Sequence, residues 1–263
     1  MSGRVEAARK AFSKKDLEAM KKAHTHEAIE NEHQAQTHGE YVGDMVFGAL
    51  DGIVTTFAVV AGAAGAGLNP SVILVLGFAN LFADGLSMAV GNYLSRKSDQ
   101  SYYNAEKGRE EWEIDNYPEG EKEEIRVIFA RKGFKGKELD QIVSIITSKR
   151  DVWIDTMMTD ELGLMPEQKS PVKAGLYTFS AFVLAGFVPL FIFVVSIFNP
   201  IGPDVAYPAA IILTFITIFV VGSLRSLVIK KKWLEAGVEM LMIGGLTAVV
   251  SYGIGSFLGG LVL

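Results

Sequence analysis

Five stretches of the chain are apolar for long enough to cross a bilayer, and most of the charge lies outside them. A membrane helix needs about 20 predominantly apolar residues. Residues 41–66 meet that length, interrupted by Asp44 and Asp51. The turn Gly67-Leu68-Asn69-Pro70 leads into a second stretch, 72–94, which holds Asn80 and Asp84. Beyond Arg96 the sequence is charged to about residue 172, and three further apolar stretches follow at 175–198, 206–229 and from 236 to the C-terminus. The pattern predicts an all-α polytopic membrane protein with five transmembrane helices. Its expected divisions are a soluble tail over 1–39, transmembrane helices 1 and 2 within 40–95, a charged domain over 96–172 and transmembrane helices 3 to 5 within 173–263.

The charged insert reads as three helices. No proline interrupts the chain between Ser98 and Asn116, so the second span continues as one long helix that Pro118 ends. A second helix is expected over 119–131 and a third over 137–162, separated by Gly133 and Gly136. The third carries Leu139, Val143, Ile146, Trp153 and Met157 at helical spacing. Arg96, Lys97, Lys173 and the run Lys230, Lys231 and Lys232 flank one set of span ends, whereas GAGLNP and FNPIGPDVAYP carry no base. The positive-inside rule therefore puts the tail and the charged domain in the cytoplasm and the C-terminus outside.

Net charge narrows the partners. At -5, with an isoelectric point near 5.5, the chain is poorly suited to nucleic acid and well suited to a cation. It has no cysteine, so any metal must be held by oxygen, nitrogen or thioether sulfur. The first 39 residues lack the apolar segment of a secretory signal. They carry His24, His26, His33 and His38, with Glu30 and His33 in the Glu-x-x-His spacing of di-iron bundles. Such a site needs a second histidine half, and the chain has no other histidine. The tail accordingly reads as a helical surface segment.

On a helix, steps of four and seven residues return to one face, which aligns Glu40, Asp44 and Asp51. A carboxylate at mid-bilayer costs about 2.5 to 3.5 kcal/mol on insertion scales and usually faces a polar path. Asp51 fits that role. Asp44 fits it too, and equally fits a solvated interfacial position. Asn80, Asp84, Ser87 and Met88 make an answering polar stripe in the second span. A thioether among carboxylates suits borderline transition metals better than Mg²⁺ or Ca²⁺.

In the insert, Glu110 and Glu113 form one Glu-x-x-Glu pair, with Glu106 a turn earlier, and Glu121 and Glu124 form another. The second pair shares a face with Ile125 and Ile128, and carboxylates aimed inward need a cation. Met157, Met158 and Glu161 add a further cluster. Each group alone fits a solvated helix face, and their accumulation favours a metal. Glu235 and Glu239 fit an ion entrance and an interfacial position equally well.

Taken together, DGIVTTFAVVAG in the first span, ADGLSMAVGNYLSRKS in the second, the two Glu-x-x-Glu pairs and MMTDE at Met157–Glu161 resemble the vacuolar iron transporter family from about His38 to Leu263. The resemblance implies a homodimer with five spans that exchanges cytosolic Fe²⁺, and often Mn²⁺, for protons. It implies a membrane path through Asp51 and Met88, fed by Glu40 and Asp44. It also implies a cytoplasmic three-helix metal-binding domain using Glu110, Glu113, Glu121, Glu124, Met157, Met158 and Glu161. The metal is cargo, no cofactor is expected, and the protein is not expected to be an enzyme. Such a protein would sit in a prokaryotic cell membrane or a eukaryotic vacuolar membrane. Two other classes compete with this reading: a membrane-anchored di-iron oxidase and a passive divalent-cation channel. Glutamate and methionine accept Fe²⁺, Mn²⁺, Co²⁺ and Zn²⁺ alike.

Overall fold

A computed structural model describes residues 3–30, 41–167, 169–229 and 232–262. The described residues are helical with no strand. Three short helices, α1 (Gly3–Lys14), α2 (Leu17–Lys22) and α3 (His26–Glu30), occupy the N-terminal segment. Asp16 caps α2 by accepting a hydrogen bond from the Ala19 amide at 3.0 Å. Glu40, His33 and His38 lie outside the described residues.

The chain divides into two compact units, residues 1–92 with 172–263, and residues 93–171. The first contains the apolar helices. α4 (Val42–Gly65) matches the expected first span, and α5 runs unbroken over Pro70–Asn116. The third apolar stretch is two helices, α9 (Pro171–Gly186) and α10 (Val188–Phe198), bent by 54°. The stretch expected as the third span is thus a bent pair. Pro189 supplies no amide to the preceding turn, and its ring displaces the carbonyl that would have paired there. α11 (Pro203–Ile229) and α12 (Trp233–Val262) complete the set. Four helices are long and apolar enough to cross a membrane, and the bent pair makes a fifth if it counts as one span. The chain is an integral membrane protein.

Glycines let these helices approach closely. A Cβ on Gly48 would run into the carbonyl of Thr178, and one on Gly52 into the carbonyl of Phe182, so the first half of α4 lies backbone to backbone on α9. At its other end Gly65 meets the Tyr252 carbonyl, and Gly62 meets Gly255 of α12. Small residues four apart are the usual means of such contact where lipid removes the hydrophobic drive between helices. Two apolar clusters fill the remaining space. One joins Val60, Ile73, Leu81, Phe182, Leu190 and Phe193, and the other joins Ile53, Phe57, Ala185, Ile218 and Met240.

The second unit holds the polar end of α5 together with α6 (Pro118–Arg131), α7 (Gly136–Thr147), α8 (Arg150–Thr156) and a π-helical turn over Met157–Glu161. The single third helix expected over 137–162 is therefore broken once, at Ser148 and Lys149, and widens into the π turn after Thr156. The break follows from the hydroxyls of Thr147 and Ser148. They donate to the Val143 and Ile145 carbonyls and compete with the backbone, and Lys149 is extended. Ile114, Ile125, Ile128, Val143, Ile146, Trp153, Ile154, Met157 and Met158 form one buried core.

Candidate functional site

The second unit builds its acidic cluster on two helices and the π turn. On α6 the residues buried at helical spacing are Glu121, Ile125 and Ile128, so packing of the isoleucines carries Glu121 inward to 4% exposure. Glu124 lies at the edge of that face and is exposed, a correction to the expectation that both acids of the pair point inward. On α5 the same logic buries Glu110 completely beside Ile114, with Glu113 half-buried. Glu110, Glu113 and Glu121 each offer a carboxylate oxygen within 4.8 Å of the others, the spacing of a cation-binding group.

The hydrogen bonding of this group is incomplete. Neither oxygen of Glu110 has a hydrogen-bond partner, nor does Oε2 of Glu121. Arg109 lies against the cluster, its guanidinium nitrogens 3.0 Å from Glu106 Oε2, 2.6 Å from Glu110 Oε1 and 2.5 Å from Glu113 Oε2. The contact with Glu110 is an ion pair without hydrogen-bond alignment. One guanidinium thus pairs with Glu106, Glu110 and Glu113, and its charge also reaches Glu161. Burial, reinforced by Glu124, Glu110, Glu113 and Glu161, pushes the Glu121 carboxyl up to about 7. Glu161 keeps solvent exposure, yet partial desolvation of its carboxyl and the neighbouring Glu124 push it up to about 7 as well. Uncompensated buried carboxylates of this kind bind a proton or a cation.

The π turn adds sulfur. Leu162 donates to the Met157 carbonyl at 3.2 Å, five residues back, and Leu164 donates to that of Met158 at 2.8 Å. With the turn widened, the consecutive Met157 and Met158 are both fully buried, in the core that also holds Ile114 and Ile125. Single π turns frequently mark functional sites.

In the first unit, Asp44 is only 5% exposed although it stands in the first turn of α4, which excludes the solvated interfacial position. Asn92 Nδ2 donates to Asp44 Oδ1 at 3.0 Å and to Thr178 Oγ1 at 2.8 Å. Asp51 is half-buried, its carbonyl accepts from the Thr55 hydroxyl at 2.9 Å, and its carboxylate lies near enough to Asp84 for the two to repel. Met88 packs against the Leu81 and Phe182 cluster. Glu239 lies 3.7 Å from Arg225, and Glu235 lies 3.4 Å from Lys232.

The sequence reading missed Arg109, Asn92 and Thr178. Arg109 was visible as a base at helical spacing from Glu106 and Glu113. Asn92 follows Met88 by one helical turn and continues the polar stripe of the second span.

The sequence matches the profile of the VIT family over residues 42–256. The chain belongs to the VIT family. Among its VIT relatives, a vacuolar iron transporter of Toxoplasma gondii is 38% identical, the alignment covering 95% of this chain and 87% of the relative. One of Plasmodium berghei is 33% identical, over 93% of each chain. A third, vacuolar iron transporter 1 of Arabidopsis thaliana, is 32% identical over 84% of this chain and 88% of the relative. These VIT proteins are named as transporters, which agrees with a chain that is not an enzyme.

Proposed function

We propose that this protein transports a divalent transition-metal cation, Fe²⁺ in the first place and Mn²⁺ as a second cargo, out of the cytoplasm in exchange for protons. The observation that carries the reading is the group of Glu110, Glu113 and Glu121, whose buried oxygens lack the hydrogen bonds that a structural carboxylate requires. In this reading the second unit is cytoplasmic and captures metal with Glu110, Glu113, Glu121, Glu124, Met157, Met158 and Glu161. Glu40 and Asp44 receive the ion, and Asp51 and Met88 form the transport site within a homodimer. The relatives' names supply iron as the first candidate cargo. Exchange for protons follows from carboxylate chemistry, because a group that must deprotonate to bind metal releases it on protonation.

A di-iron oxidase would draw no support from the transporter relatives and would leave the half-buried Asp51 and Asp84 of the apolar helices without a role. The test is Fe²⁺ uptake into proteoliposomes with and without an imposed pH gradient, with oxygen monitored. Uptake should follow the gradient without oxygen consumption, and Asp51→Asn should abolish metal-driven proton movement while leaving the protein folded. Flux indifferent to the gradient would point to a channel, and full activity of Asp51→Asn would overturn the mechanism.

A further inference from the structure

Asp44 is the most deeply buried acid described in the apolar unit, and it is tied to two other helices through one side chain. The Asn92 amide on α5 spends one N–H on Asp44 Oδ1, at 3.0 Å, and the other on Thr178 Oγ1 of α9, at 2.8 Å. Thr178 is itself completely buried, and its hydroxyl donates to the Ala174 carbonyl one turn back, at 3.0 Å. That bond fixes the rotamer in which Thr178 accepts from Asn92. Gly48 seats α4 on the Thr178 backbone one turn beyond Asp44, so the hydroxyl cannot shift without moving the helix contact. The partners are 48 and 86 residues apart in sequence, so the arrangement is tertiary and no accident of one helix.

An amide does something here that no base could. A lysine or arginine at position 92 would hold the carboxylate and also cancel its attraction for a cation. The Asn92 amide fixes the direction of the carboxylate and contributes no charge. We infer that Asn92, braced by Thr178, is a positioning residue that aims the Asp44 carboxylate at the incoming metal ion. The inference rests on the reading of Asp44 as a residue that receives the ion.

Asn92→Leu keeps the branched outline of the side chain, though its methyl groups are bulkier, and removes both donors. Thr178→Val removes the acceptor and the hydroxyl donor, and Thr178→Ser keeps both. In proteoliposomes, with initial Fe²⁺ uptake measured over a range of Fe²⁺ concentrations, Asn92→Leu should raise KM about tenfold, the scale of one lost charge-assisted hydrogen bond, with kcat within about twofold. Thr178→Val should raise KM in the same direction and by less, and Thr178→Ser should restore the wild-type value. Asp44→Asn should raise KM, and the double variant Asp44→Asn/Asn92→Leu should be no worse than Asp44→Asn alone, since Asn92 acts through Asp44. Additive losses in the double variant would overturn the inference, as would an unchanged KM in Asn92→Leu. A fall in kcat at constant KM, with a lowered unfolding temperature, would assign Asn92 a structural role only and overturn it too. If instead Asp44→Asn leaves KM unchanged, the reading of Asp44 fails, an outcome distinct from failure of Asn92→Leu beside an impaired Asp44→Asn.

Discussion

Replacing Glu121 by glutamine isolates one carboxyl whose energetics follow from its burial. In the fold it titrates at about 7 against an ordinary value of 4.5. Because the folded value is the raised one, the protonated carboxyl stabilises the metal-free fold fully below pH 4.5, and that stability is lost as pH rises through 7. The difference of 2.5 pH units is worth about 3 kcal/mol, most of it given up between pH 5 and pH 7. Metal-free protein should therefore unfold at a lower temperature at pH 7.5 than at pH 5.5. Glu121→Gln should remove one part of that dependence and leave a slope of the same sign from Glu161 and Glu110, whose carboxyls burial also raises. Tryptophan fluorescence during heating in detergent reads this directly, because Trp153 lies in the same core at 5% exposure, whereas Trp112 and Trp233 are exposed. Anaerobic Fe²⁺, or Co²⁺ as a probe, should reverse the trend at pH 7.5, by about 2.7 kcal/mol at a hundredfold excess over Kd. Glu121→Gln should lose that gain. Metal-free protein no less stable at pH 7.5 than at pH 5.5, or a glutamine variant with the wild-type slope, would refute the reasoning.

Substitutions at Gly52 and Met158, with Gly43 as the control, probe the packing around the proposed sites. Gly52→Ala should destabilise the protein by about 1 to 3 kcal/mol through collision with the Phe182 carbonyl, whereas Gly43→Ala, which meets nothing within 4 Å, should leave the unfolding temperature unchanged or slightly raised. Met158→Ala should cost about 2 to 5 kcal/mol from the cavity it leaves and Met158→Leu under about 1.5 kcal/mol, both read by thermal unfolding. Met158→Leu should nonetheless narrow the preference of the protein for Fe²⁺ over Mn²⁺ in competitive binding, since only the thioether is lost.

The apolar helices were legible because length and the absence of breakers decide them. Val42–Gly65 and the unbroken Pro70–Asn116 follow from the sequence without any tertiary contact. The break at Ser148 and Lys149 was hidden because Val143 and Ile146 on one side and Trp153 on the other enter the same core, so the apolar stripe reads through it. Glu124 was misplaced because its position is about 60° from the centre of the Glu121, Ile125 and Ile128 face, close enough to look inward and far enough to be exposed. The bend at Pro189 was signalled by the proline itself and obscured by the apolar residues around it. Asn92 and Thr178 were illegible as partners, since they lie 86 residues apart on different helices and only tertiary packing brings both to Asp44.

That packing also has a mechanical consequence. α4 carries Asp44 and Asp51, yet it touches α9 through Gly48 and Gly52 and α12 through Gly62 and Gly65, main chain against main chain at both ends. Side chains can change rotamer to let neighbours slide, whereas backbones in direct contact have no such give. A helix gripped this way resists rolling about its axis, and its acids keep their bearing within the bundle. In the proposed transport cycle, whatever opens Asp51 first to one side of the bilayer and then to the other has to move around α4, which would serve as its fixed post.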